Sequence, residues 1–83
     1  METMIVEIFV PAASRSFDFQ LPASGVIRNT IMEIIRILEL TQPGLVFDRT
    51  YPLLCHLDDG RLLNPDDTLA IAGVYDGVKL MLI

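Results

Sequence analysis

Residue types that bind metal or phosphate are scarce in this 83-residue chain. It has one cysteine, Cys55, and one histidine, His56. This excludes an internal disulfide framework and leaves no Cys/His cluster for a metal. Six basic residues, of which Lys79 is the only lysine, stand against eleven acidic ones, for a net charge of −5. Because nucleic acids and anionic membranes are bound largely through Lys and Arg, the composition predicts neither partner.

Long apolar runs are also missing. The longest candidate, IMEIIRILEL, is interrupted by Glu33, Arg36 and Glu39, and a membrane span needs about 20 consecutive apolar residues. The start, METMIVEIFV, lacks the basic region that opens a signal peptide. We therefore expect one domain over residues 1–83, without direct membrane insertion and located in the cytoplasm. Since 52% of the residues are apolar and a domain this small has little interior, part of the apolar surface is expected to face outward.

The first twenty residues predict a hairpin of two strands. MIVEIFV is rich in β-branched and aromatic residues, and SFDFQL alternates apolar with polar residues. Between them, PAASR has the composition of a turn. Side-chain alternation gives each strand an inward face, made of Met4, Val6, Ile8 and Val10 in the first and Phe17, Phe19 and Leu21 in the second. Ile5, Glu7 and Phe9 then point outward.

One long helix is predicted in PASGVIRNTIMEIIRILELTQPG. Ser24 is placed to cap its N-terminus, and Pro43-Gly44 ends it. On a helical wheel the apolar residues cover an arc of about 180°, wider than the stripe of an ordinary surface helix. The arc consists of Val26, Ile27, Thr30, Ile31, Ile34, Ile35, Ile37 and Leu38. A helix lying across a curved sheet would bury such an arc.

The second half of the chain predicts four more short elements and the turns between them. TYPLLCHL is interpreted as a third strand, DDGR as a turn, and LL as a very short fourth strand. NPDDTLAIAG predicts one or two turns of helix that begin near Pro65 and stop at Gly73. VKLMLI is the last strand, with Val78, Leu80 and Leu82 facing inward and Lys79, Met81 and Ile83 facing outward.

This order of elements, ββ-α-ββ-short helix-β, resembles the β-grasp fold of ubiquitin. The stretch LDDGRLLNPDDTLAIAGVYDGVKLMLI combines an L-x-D-G-x-x-L turn with a G-V-x-D-G-x-x-L-x-L ending. It is similar to the ubiquitin-like module of type VII secretion systems, found in the YukD/EsaB proteins and in the N-terminal domain of the EccD membrane component. FDFQLPASGVIRNTIMEIIRIL resembles the same family. The resemblance implies an α+β fold in which a mixed sheet of four or five strands wraps the helix and the first and last strands pair in parallel.

The last residues bear on a rival function. Ubiquitin and the sulfur carriers of this fold act through a flexible tail ending in Gly-Gly, whose carboxylate is activated as an adenylate. Here Leu82 and Ile83 belong to the predicted last strand, and no diglycine follows them in the sequence. We therefore expect recognition through a surface rather than conjugation through the C-terminus.

Outward positions of the predicted sheet are unusually apolar. They are Ile5, Phe9, Leu54, Met81 and Ile83. If strands one and three flank the last strand, these side chains form one apolar patch, and such a patch on a small domain usually marks an interface. A register of strand three shifted by one residue would instead place His56 outside and Leu54 inside. Loop cover over Ile5 or Phe9 is the other alternative.

No residue pattern predicts catalysis, a metal or a cofactor. His56 is expected at the surface and Cys55 in the interior, on opposite faces of one strand, which is poor geometry for a catalytic dyad. Asp58-Asp59 and Asp66-Asp67 lack the ligand spacing of a calcium loop and suit turns and helix caps. The polar side of the helix, with Arg28, Met32, Arg36 and Glu39, is either solvated or a second docking face.

The leading hypothesis is a non-catalytic ubiquitin-like adaptor that works through protein–protein contact. The resemblance implies a place in a type VII secretion apparatus, with its membrane component or its ATPase as partner, and the apolar patch also suggests a weak homodimer. A generic β-grasp interaction module unrelated to secretion is the first alternative. A carrier protein activated at its C-terminus is the second.

Overall fold

The computed structural model describes residues 2–47 and 52–83. Within these ranges a four-stranded sheet has the order β2-β1-β4-β3. The elements are β1 (Thr3–Val10), a short 3-10 helix (Pro11–Ala13), β2 (Arg15–Pro22), α1 (Ile27–Thr41), β3 (Leu54–His56) and β4 (Lys79–Leu82). No helix in the described part of the chain has the length and apolar character that crossing a membrane requires.

The hairpin of β1 and β2 forms as predicted. The strands are antiparallel, with Val6 opposite Phe19 and Ile8 opposite Phe17. The even-numbered residues of β1 are buried, whereas Ser16, Asp18 and Gln20 of β2 are exposed. The loop between the strands closes at Ser14, which adopts a left-handed conformation with φ of 54°. The alternation of apolar and polar residues therefore predicted both strands, and the face that each strand buries, correctly.

The first and last strands pair in parallel at the centre of the sheet, as the resemblance implies. Glu7 lies beside Lys79 and Phe9 beside Met81. Strand β3 then pairs antiparallel with the other side of β4. The buried side chains of the inner sheet face and of α1 form one core cluster, which includes Ile8, Leu80 and Ile34. The result is the predicted α+β arrangement, in which a mixed sheet packs against one helix.

Helix α1 buries the predicted arc but begins differently from the prediction. Its buried residues are Ile27, Thr30, Ile31, Ile34, Ile35 and Leu38, and Val26 and Ile37 lie half-buried at the margins. The N-cap is Val26, which makes no side-chain capping bond, so the expected cap by Ser24 is wrong. Instead the amide of Ile27 donates to the carbonyl of Asp67 at 2.9 Å, and that of Arg28 donates to Pro65 at 2.9 Å.

The short helix predicted near Pro65 is absent, and the segment forms consecutive turns. Its backbone groups form turn bonds within the segment, such as Ala72 to Thr68 at 3.0 Å, and several others bond to the residues around the start of α1. The carbonyls of Pro65 and Asp67 accept from α1, while the amides of Leu69 and Ala70 donate to Gly25 and Ala23 at 3.1 Å. A helix beginning at Pro65 needs those same carbonyls for its own ladder, so the tertiary bonds exclude it.

Strand three and the predicted fourth strand are shorter than expected. Strand three was predicted over residues 50–57 and is observed over Leu54–His56; residues 50 and 51 lie outside the described residues. The predicted strand at Leu62-Leu63 is a single bridge between Cys55 and Leu62. This bridge nevertheless returns the chain to the sheet, since the amide of Leu63 donates to the carbonyl of Leu54 at 2.9 Å.

Candidate functional site

The outward face of the sheet carries the candidate interaction surface. Side chains on one strand alternate between faces, and residues directly opposite each other on neighbouring strands share a face. Since Val6, Ile8 and Leu80 are buried in the core, Phe9 and its parallel neighbour Met81 lie on the outer face. Both are half-buried. Ile83, beyond the end of β4, is 53% exposed.

Two residues predicted for this face lie in the interior instead. Leu54 is opposite Leu82, and His56 is opposite Leu80, and both partners belong to the core. Leu54 is 0% exposed and His56 is 8% exposed, so their predicted places on the surface are wrong. The Nε2 atom of His56 lies 3.5 Å from the carbonyl oxygen of Ala72. Inward packing of Leu54 and His56 is imposed by the antiparallel register with β4.

Cys55 takes the outward position that was predicted for its neighbours. It is opposite Met81 and bridges to Leu62 on its other side. Four residues therefore form a row across the sheet in the order Phe9, Met81, Cys55, Leu62. Cys55 itself is 2% exposed, as expected for a small apolar residue, because its neighbours cover it. Leu62 at the end of the row is 54% exposed.

A second apolar pair extends this row. Leu53 and Ile83 exchange two backbone hydrogen bonds of 3.0 and 2.9 Å, and by alternation both side chains lie on the outer face. We call the six residues Phe9, Leu53, Cys55, Leu62, Met81 and Ile83 the outer patch. Leu53 and Leu62 were missed in the sequence. The turn DDGR was a usable signal for Leu62, because a tight turn after strand three returns the chain beside it.

Ile5 is exposed but lies apart from the outer patch. Glu7 and Lys79 are neighbours on β1 and β4, and Asp18 is opposite Glu7 on β2. This charged row separates Ile5 from Phe9 on the outer face. Ile5 is instead near the turn before β4, where its amide donates to Oδ1 of Asp76 at 2.7 Å.

One side chain of each acidic pair has a partner in the structure. Oδ1 of Asp59 accepts from the amide of Arg61 at 2.9 Å, and Asp66 forms an exposed ion pair with Arg28. The described residues contain no group of three or more His, Cys, Asp or Glu side chains placed to hold a metal. His56 and Cys55 point to opposite faces of β3, as expected.

The polar side of α1 is engaged in local contacts. Arg36 forms a hydrogen-bonded ion pair with Glu33. This hydrogen bond, helped by the positive charge, holds the pKa of Glu33 below its usual value and raises that of Arg36, so Glu33 is ionised at neutral pH. Oε2 of Glu39 accepts from the amide of Phe47 at 3.1 Å. Met32 remains exposed on this side.

Solved structures with the same architecture include ubiquitin-like domains of secretion components. The EccD5 ubiquitin-like domain from Mycobacterium xenopi is 25% identical with a TM-score of 0.81, and the alignment covers 100% of this chain and 94% of that one. The ubiquitin-like domain of the Mycobacterium tuberculosis type VII secretion system protein ECCD1 is 26% identical with a TM-score of 0.69, over 100% and 99% of the two chains.

A chain of the MycP5-free ESX-5 inner membrane complex shares the fold at 20% identity and a TM-score of 0.79. The alignment covers all of this chain and 21% of that one. Curated protein sequences give no match. The family model described as WXG100 protein secretion system (Wss), protein YukD, matches residues 4–82. Because this match spans nearly the whole sequence, the chain belongs to the YukD family of ubiquitin-like proteins.

Proposed function

We propose that the chain is a non-catalytic adaptor of a WXG100, or type VII, secretion system. It works in the cytoplasm by docking the outer patch against a protein subunit of the membrane-embedded secretion complex. The observation that carries the proposal is the row Phe9, Met81, Cys55, Leu62, a band of adjacent apolar side chains across a sheet face that no described helix covers. Apolar surface of this kind on a small domain favours a protein partner.

The choice of partner is supported by the comparisons. The domains from EccD5 and ECCD1 are similar over nearly their full lengths, and the ESX-5 chain that shares the fold belongs to an inner membrane complex. A chain of this family would therefore engage its secretion complex through protein contact.

The proposal involves no covalent attachment through residues 78–83. Leu80 and Leu82 are buried in β4, and both the amide and the carbonyl of Ile83 are bonded to Leu53. Activation of a carboxylate at this position would require the strand to leave the sheet and expose both leucines. Incubation of the protein with ATP and an extract of its own cells, followed by intact mass measurement, is expected to show no adenylate or thiocarboxylate. Either product would favour the carrier function instead.

Substitution of the outer patch tests the docking. Met81→Arg places a charge in the centre of the patch, and Met32→Arg makes the same change on the exposed side of α1. Tagged wild-type and variant proteins are expressed in their own cells, and membranes are solubilised and captured through the tag. Wild type and Met32→Arg are expected to capture subunits of the secretion complex. Met81→Arg is expected to recover at least about ten-fold less of these subunits, because a residue at the centre of a binding patch contributes strongly to affinity.

Three results would contradict the proposal. Equal recovery by Met81→Arg would show that the outer patch is not the docking surface. Loss with Met32→Arg alone would place docking on the helix. Capture of other proteins without any secretion subunit would favour the generic interaction module.

A further inference from the structure

Strand β2 lies at one edge of the sheet with its outer backbone groups open. On β1, the amide of Glu7 donates to the carbonyl of Val78, and the carbonyl of Ile5 accepts from the amide of Gly77. The backbone amides and carbonyls of the odd-numbered residues of β1 therefore point towards β4, and those of the even-numbered residues point towards β2. Their partners on β2 are Phe17, Phe19 and Leu21. The amides and carbonyls of the intervening residues, Ser16, Asp18 and Gln20, therefore point away from the sheet. No hydrogen bond joins these groups to any described residue.

This edge is long enough to accept another strand. Strand β2 has eight residues, and its only proline, Pro22, is at the end. Edge strands are commonly protected by short length, by bulges or by proline within the strand, and the ladder of β1 and β2 continues without interruption from Val10–Arg15 to Thr3–Pro22. The open groups at Ser16, Asp18 and Gln20 are spaced as a backbone ladder requires.

An apolar groove lies beside the edge on the inner side. Its volume is about 280 Å³, and its lining includes Leu21, Pro22, Val26, Thr30 and Glu33. Further along α1, Ile37 and Leu40 lie on the same side of the helix as Val26, because about 100° separates successive residues. Leu40 is 74% exposed. The side chains of an added strand that point inward would therefore meet apolar surface from both β2 and α1.

The charges at the edge discriminate between possible occupants. Asp18 is at the middle of the edge, opposite Glu7, which in turn lies beside Lys79. In the register centred on Asp18, antiparallel pairing of two copies through β2 would bring Asp18 opposite Asp18, and like charges directly opposite each other are destabilising. A Lys or Arg on an added strand beside Asp18 would instead place a positive charge next to the carboxylates of Asp18 and Glu7, as Lys79 does on their other side.

We propose that the free edge of β2 binds an extended segment of a partner protein as an additional strand. The segment carries a Lys or Arg opposite Asp18 on the outer side and apolar residues on the inner side, where they occupy the groove. Backbone hydrogen bonds to Ser16, Asp18 and Gln20 supply affinity, and the alternate side chains supply specificity. This site is separate from the outer patch and does not rest on the proposed function.

A synthetic peptide tests the site directly. The probe is an acetylated ten-residue peptide that alternates Val with Thr, with one central Thr replaced by Lys and N-methyl groups on its far edge to prevent self-association. It is titrated into the ¹⁵N-labelled full chain. Saturable shifts and slowed amide exchange are expected at Ser16, Asp18 and Gln20. A matched peptide with Glu in place of Lys is expected to bind about three- to five-fold more weakly.

Substitutions in β2 test whether the peptide binds as an added strand or in another way. Gln20→Pro removes an outward amide without removing a bond to β1, whereas Gln20→Ala keeps the amide and removes the side-chain bond to Thr3. Binding is expected to weaken at least about ten-fold in Gln20→Pro and to change less than about two-fold in Gln20→Ala. Asp18→Lys is expected to reverse the preference in favour of the Glu peptide. Met81→Arg is expected to leave peptide binding unchanged.

The proposal is overturned by any of three results. The first is the absence of saturable shifts along β2. The second is equal binding of the Lys and Glu peptides to wild type, with no reversal in Asp18→Lys. The third is full binding by Gln20→Pro whose ¹⁵N spectrum remains that of the folded protein. If Met81→Arg no longer captures the secretion complex but still binds the peptide, the outer patch and the edge of β2 are separate binding surfaces.

Discussion

At the residue scale, Asp76 joins the turn before β4 to the first strand. Its Oδ1 accepts from the amide of Ile5 at 2.7 Å, and the next residue, Gly77, donates to the carbonyl of Ile5 at 2.7 Å. The carboxylate takes the place of a backbone carbonyl and so extends the β1–β4 ladder by one bond. Gly77 adopts a φ of 88°, a conformation that glycine allows without a steric penalty.

Replacement of Asp76 should destabilise the protein measurably. We expect Asp76→Ala to lower the free energy of unfolding by about 1–2 kcal/mol, since it removes a charge-assisted bond to a backbone amide. Asp58→Ala removes an acidic residue from another exposed turn and is expected to change it by less than about 0.5 kcal/mol. Urea denaturation of both variants gives the comparison. Equal effects would show that loss of charge, rather than loss of the bond, matters.

At the scale of elements, the start of α1 depends on the distant segment around residues 65–67. The first two amides of the helix donate to carbonyls of this segment, which satisfies donors that a side-chain cap usually satisfies. The bridge between Val26 and Thr68 holds the two segments together. The N-terminus of α1 is therefore part of the tertiary structure rather than a local signal.

Ser24 should consequently be dispensable for stability. We expect Ser24→Ala to change the free energy of unfolding by less than about 0.5 kcal/mol, whereas loss of a true N-cap costs about 1 kcal/mol. Thermal or urea unfolding of the single variant measures this. A loss of about 1 kcal/mol or more would mean that the hydroxyl of Ser24 does stabilise the helix start.

The register of β3 can be tested with two neighbouring leucines. Leu54→Ala removes a fully buried side chain and is expected to cost about 2–5 kcal/mol. Leu53→Ala removes a half-buried side chain on the outer face and is expected to cost about 1 kcal/mol or less. Denaturant midpoints for the pair provide the measurement. A larger loss with Leu53→Ala would contradict the observed register.

These elements show what the sequence could and could not predict. The alternation in SFDFQL and the apolar arc of α1 each indicate a single buried face. The buried faces of β2 and α1 were therefore predicted correctly. PLLCHL has no alternation, because Leu53, Leu54 and Cys55 suit either face, so its register is set by pairing with β4. The wrong register placed Leu54 and His56 on the predicted surface, although both are buried, and left Leu53 out of the patch. The helix predicted at Pro65 had local signals, but tertiary hydrogen bonds overrode them.

At the scale of the whole molecule, charge and apolar surface act in opposition. The net charge is −5 at pH 7 and the isoelectric point is about 4.5. Repulsion between copies opposes association at neutral pH, whereas the outer patch favours it. As the pH falls towards 4.5 the carboxylates gain protons and the repulsion weakens, so contact between patches becomes more favourable.

Self-association should therefore increase on mild acidification. Sedimentation velocity at pH 7 and near pH 5 is expected to show a larger dimer fraction at the lower pH. Met81→Gln, which leaves the net charge unchanged and makes the centre of the outer patch polar, should reduce that fraction. If the variant associates as strongly as wild type, the dimer forms through another surface.

The parallel pairing of β1 with β4 has a consequence for synthesis on the ribosome. Residues 7–9 of β1 are synthesised long before their partners, residues 79–81 of β4. Until residues 79–82 have left the exit tunnel, the nascent chain can form its hairpin and helix but cannot close its core. A chain interrupted shortly before Lys79 would therefore be left with exposed apolar side chains for chaperones and proteases to bind.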